Sequence, residues 1–96
     1  MRIEIHLQEG FSDLPVTIEA GGAVVADFIA TTRLMTGLAK IVPLDLRRGE
    51  EVKVSAGKPV ASTATAKADA AKPFVTVNLV DGKLHLALEE RQPGYL

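Results

Sequence analysis

The stretch from Phe74 to Leu88, Phe-Val-Thr-Val-Asn-Leu-Val-Asp-Gly-Lys-Leu-His-Leu-Ala-Leu, constrains this chain more than any other and reads as a β-hairpin closed by Asp81-Gly82. Polarity alternates with period two on both sides of a dipeptide that accepts the positive φ angles of a type I′ turn. A two-residue loop sets Leu79 opposite Leu84, Val77 opposite Leu86 and Val75 opposite Leu88, so one face is aliphatic throughout. Thr76, Asn78, Lys83, His85 and Ala87 take the other face.

The rest of the chain repeats this vocabulary. Residues 2–8 alternate, with Ile3, Ile5 and Leu7 on one side and Arg2, Glu4, His6 and Gln8 on the other. A second strand starts at Leu14 and runs to Ala20-Gly21-Gly22, where a three-residue loop would set Ile18 opposite Val24, Val16 opposite Ala26 and Leu14 opposite Phe28. Arg47-Arg48-Gly49 reads as the turn of another hairpin, with Leu44 facing Val52 and Val42 facing Val54. Pro43 cannot donate to a ladder and places that strand at a sheet edge or a bulge. Residues 60–71 alternate Thr63, Thr65, Lys67 and Asp69 with alanines, which fits a strand with a thin inner face, a linker, or a short helix stopped by Pro73.

Two readings compete over residues 23–38. Val24, Val25, Phe28, Ile29, Thr32 and Met35 recur at helical spacing, whereas the paired β-branched residues and Gly37 weaken a helix. Strand followed by an extended loop is favoured. The expected fold is therefore an all-β, antiparallel sandwich of about six or seven strands, immunoglobulin-like or related, built largely of hairpins. If the helix formed instead, the order ββαβ over the first half of the chain resembles the β-grasp arrangement of ubiquitin-like and sulfur-carrier proteins. That resemblance implies an α+β binding module. Such carriers end in Gly-Gly, and this chain ends in Pro93-Gly94-Tyr95-Leu96, so carrier chemistry is not implied.

Ninety-six residues suffice for a single domain, 1–96, with 91–96 expected as a short flexible tail. A formal net charge of −1 with interspersed signs gives no field to gather nucleic acid or anionic lipid. The chain has no cysteine, hence no thiol nucleophile or thiolate metal site. No apolar run approaches membrane-spanning length and no secretory leader is visible, so a cytoplasmic location is expected.

Candidate chemistry is sparse. His6 and His85, with Glu4 and Glu89, would make a two-histidine, carboxylate metal site if the first and last strands were neighbours; the plainer reading is a pair of solvated surface histidines. Ser12, Ser55 and Ser62 belong to no nucleophile elbow and fit turn and strand-surface hydrogen bonding. Arg47 and Arg48, interleaved with Glu50 and Glu51, read as a solvated turn with the capacity to contact an anion or partner. Tyr95 is a further partner-contact candidate. With three Phe, one Tyr and no Trp, there is no stacking platform for sugars or single-stranded nucleic acid.

No catalytic constellation or cofactor motif emerges, so the chain is expected not to be an enzyme and to need no cofactor. The expected function is a protein-interaction or oligomerisation module, with Ile41, Val24 or Val25 and Ala87 as an outer contact patch. A β-grasp binding module is the alternative, and a small enzyme assembled from separate loops is a residual one.

Overall fold

A computed structural model describes residues 1–94. Eight strands occur: β1 (Arg2–Leu7), β2 (Leu14–Ala20), β3 (Ala23–Ala30), β4 (Lys40–Asp45), β5 (Glu51–Ala56), β6 (Ser62–Lys67), β7 (Phe74–Val80) and β8 (Lys83–Glu89). They form two four-stranded sheets, ordered β4-β1-β7-β8 and β3-β2-β5-β6, packed as a sandwich. There is no helix among the described residues, so residues 23–38 are a strand and a loop, and the β-grasp alternative falls. The count is eight strands rather than six or seven, and the sandwich is not wholly antiparallel, because β1 pairs with β7 in parallel.

The β7–β8 hairpin has the register its sequence dictates, with Val75 opposite Leu88, Val77 opposite Leu86 and Leu79 opposite Leu84. Asp81 and Gly82 both have positive φ, 51° and 76°, as a type I′ turn demands. The β2–β3 hairpin differs from expectation. Gly21-Gly22 forms a two-residue turn that sets Ala20 opposite Ala23, and the register then shifts, so that Ile18 faces Ala26 and Val16 faces Phe28. Without the extra residue at Val25, the turn would have carried Asp27 inward against Val16. The bulge restores Ala26, Phe28 and Ala30 to the inner face and leaves Val24 outside.

The expected β4–β5 hairpin does not form. The β4 strand pairs with β1, with Val42 opposite Ile5 and Leu44 opposite Ile3, and β5 pairs with β2 and β6 in the other sheet. Arg47–Glu50 is still a tight turn, with the Glu50 N–H donating to the Arg47 carbonyl at 3.1 Å, but it carries the chain between sheets. Alternation fixes which face a side chain takes; it does not choose the neighbouring strand. Pro43 lies on an edge strand, where its missing N–H costs no ladder bond.

The core lies between the inner strands of both sheets. Ile3, Ile5 and Leu7 of β1 and Val75 and Val77 of β7 pack against Val16 and Ile18 of β2 and Val52 and Val54 of β5, all essentially without exposure. Burying each contributes about 1.5–3 kcal/mol. Connectivity gathers residues 8–13, 31–39, 57–61 and 81–82 at one end, called upper here, and residues 21–22, 46–50 and 68–73 at the lower end. Phe11 is buried at the upper end and Leu46 at the lower.

Two glycines with positive φ separate backbone strain from steric clash. A Cβ at Gly82 would meet nothing, whereas one at Gly10 would run into the Leu79 carbonyl. Gly82→Ala should therefore cost about 1 kcal/mol in urea unfolding and Gly10→Ala at least roughly twice that, with unchanged sheet signal for the first.

Candidate functional site

The most exposed apolar side chains sit on a loop that is firmly held. Between β3 and β4, Thr32 donates from its N–H to the Phe11 carbonyl at 2.8 Å and from Oγ1 to the Gln8 carbonyl at 2.6 Å. The Phe11 N–H donates back to Thr32 Oγ1 at 3.0 Å. Thr31 Oγ1 donates to the Asp13 carboxylate and accepts from its N–H, each at 3.0 Å. Arg33 and Leu38 form an isolated bridge, and the Gly37 N–H closes the turn onto the Arg33 carbonyl at 2.8 Å. Gly37, at φ 68°, supplies the left-handed residue this turn requires.

At the tip of this anchored turn, Leu34 and Met35 are 101% and 87% exposed. Val24, Val25 and Ile29 on β3 and Ile41 on β4 are also exposed, on the two edge strands that this loop joins, with Ile29 and Ile41 nearest to it. The outer-face patch expected from sequence is thus divided: Ala87 lies on β8, at the far edge. Helical spacing had drawn Met35 towards a buried face. The signal that marks it instead is an apolar pair set between Thr31-Thr32, which can anchor, and Thr36-Gly37, which can turn.

The opposite side of the sandwich carries a groove. There β6 and β8, edge strands of different sheets, meet at the upper end, where the Leu84 N–H donates to Ser62 Oγ at 3.0 Å. Towards the lower end the strands part around a cleft of about 810 Å³ whose walls include Ala66, Ala68, Leu86 and Leu88. The thin alanine face of β6 does lie opposite bulkier residues, but it is too short to meet Leu86 and Leu88, which remain half-buried. Arg48 and Lys67 flank the cleft, together with Asp69. Arg47 lines a separate shallow cleft with Ala20 and Ala23.

The histidines are not a pair. In the outer face of their sheet, β7 separates β1 from β8, with His6 opposite Thr76 and His85 opposite Asn78. Glu4 and Glu89 are likewise held apart by Phe74. His85 is exposed, but His6 is 0% exposed, which corrects the expectation of a solvated side chain. Its Nε2 lies 3.0 Å from Glu4 Oε1, and the Phe74 ring meets it edge-on at 6.0 Å between centroids. Arg91 and Pro93 share a cleft with Gln8, Thr76 and Asn78 beside it. No cluster of three or more metal-ligating residues occurs among the described residues.

Two of the three serines do structural work: Ser62 accepts from Leu84, and Ser55 Oγ shares a hydrogen bond with Thr63 Oγ1 at 3.3 Å. Tyr95 lies outside the described residues. No family model, curated protein or solved structure matches this chain.

This geometry makes the two histidines separable by experiment. His6→Ala should lower unfolding stability by about 2–4 kcal/mol, as expected for emptying a packed, hydrogen-bonded position, while His85→Ala should change it by no more than about 0.5 kcal/mol. Calorimetric titration of the wild type with zinc should give no saturable heat.

Proposed function

We propose that this protein is a non-catalytic association module that holds another protein chain through the tip at Leu34 and Met35. One observation carries the reading: two large apolar side chains stand almost wholly in water on a turn whose base is fixed by Thr31, Thr32 and Gly37. A loop already ordered loses little conformational entropy on docking, so the apolar area it buries is retained as affinity. Ile29 and Ile41, on the strand ends next to the loop, would extend the contact beyond the tip. Among the described residues, the larger clefts do not bring a nucleophile, a base and an anion-stabilising group together, so they support no comparable catalytic reading.

A Leu34→Asp, Met35→Asp double variant should keep the urea unfolding free energy within about 0.5 kcal/mol of wild type, because neither side chain packs on the core. It should weaken association at least roughly tenfold, a loss of about 1.4 kcal/mol. Sedimentation velocity of the two proteins reads self-association, and comparative capture from a lysate of the source cells reads hetero-association. The proposal fails if wild type stays monomeric to about millimolar concentration and captures nothing that the double variant does not.

A further inference from the structure

We propose that the β6–β8 groove receives the Leu34–Met35 tip of a second copy of this chain, so that the protein assembles head to tail. The proposal rests on the tip being a contact surface, and it names the occupant of the groove.

Three observations favour this occupant. The first is chemical match, because the most exposed apolar turn and the Ala66, Ala68, Leu86 and Leu88 walls have complementary needs: one lacks a cover and the other lacks filling. The cleft, about 810 Å³ and open to solvent on one side, leaves room for apolar side chains against Leu86 and Leu88.

The second is charge. The tip carries Arg33 at its base, and the Glu9 carboxylate lies against Gly37; the groove carries Asp69 together with Arg48 and Lys67. Arg33, Arg48 and Lys67 make no ion pair among the described residues. Docking the turn would give Arg33 an anion in Asp69 and give Glu9 a cation in Arg48 or Lys67, an arrangement that fixes register more than it adds affinity.

The third is placement. The tip stands at the upper end beside β3 and β4, and the groove opens towards the lower end between β6 and β8, so one copy can use both at once. The contacting surfaces differ from each other, which makes the interface heterologous. Repetition gives an open chain or a ring, not a closed twofold dimer. A single turn in a cleft is a small contact, so the affinity per joint should be weak, roughly micromolar to millimolar.

The test uses two variants of the full chain and their mixture. Sedimentation of wild type from about 10 µM to 1 mM should show species growing past the dimer, as weak repeating joints require. Leu34→Asp, Met35→Asp removes the tip, and Ala66→Leu fills the groove; each alone should sediment as a monomer. Mixed in equal amounts, they should form a one-to-one heterodimer and nothing larger, since together they retain one tip and one groove. That recovery also establishes that both variants fold. If Ala66→Leu does not fold, Arg48→Glu with Lys67→Glu, both exposed, serves as the groove variant and should weaken assembly about tenfold. Self-assembly in the groove is overturned if wild type remains monomeric at 1 mM, if the groove variants assemble as wild type does, or if the mixture stays monomeric. A monomeric wild type that still captures another protein through Leu34 and Met35 would overturn this inference and leave the association function standing.

Discussion

The placement of β1 between β4 and β7 is the constraint on which the rest of the molecule depends. Its inner residues, Ile3, Ile5 and Leu7, are buried against strands contributed by sequence positions near 42 and near 75. The ladder is extended at both ends: the Met1 ammonium donates to the Leu46 carbonyl at 2.7 Å, and the Gln8 N–H donates to the Val77 carbonyl at 2.8 Å. Because the first strand is completed by a late one, the sheet cannot form from hairpins alone. Pairing across such separations carries loop-closure entropy before it is rewarded, which places the fold among slower-folding topologies.

This arrangement also decides where function can reside. Central strands of both sheets are committed to the core, and the outer face of β1 is taken by His6 with Glu4 and Phe74. The two sides of the sandwich are left to differ. On one side β3 and β4 are joined by the anchored loop, and the Lys40 ammonium sits 5.0 Å over the Phe28 ring, a contact contributing about 0.5–1 kcal/mol that holds the two sheets at that edge. On the other side β6 and β8 are hydrogen-bonded at Ser62 and Leu84, and the cleft opens below that contact. A projecting turn and a receding groove thus lie at opposite edges of one sandwich, the turn where a loop joins β3 to β4 and the groove where β6 and β8 part below Ser62.

How much of this could be read from sequence varied with the kind of question. The Asp81-Gly82 hairpin was legible to the residue, because turn type fixes register locally and nothing later in folding revises it. Strand existence was legible elsewhere but not at Ser62–Lys67, where alanine weakens the signal and strand, linker and short helix fitted equally. Partners were not: Val42 and Leu44 satisfy the same inward face whether they oppose β5 or β1. The bulge at Val25 was hidden because Gly21-Gly22 permits more than one loop length, and both the three-residue loop and the bulged two-residue turn keep Asp27 outside. The burial of His6 was hidden because a polar-face residue becomes a covered one through groups distant in sequence, and alternation carries no information about what crosses the sheet.

The alanine face of β6 has a further consequence for how this molecule can change over evolutionary time. Its strand pairs with β5 through the backbone ladder and the Ser55–Thr63 hydrogen bond on the outer face, so the inner side chains can vary without disturbing the ladder. A methyl gained or lost at Ala66, half-buried on the groove wall, would remodel the groove at small cost to the fold. Specificity for whatever occupies it is therefore separable from stability, and a lineage carrying this scaffold could exchange binding companions by point mutation while inheriting the same architecture.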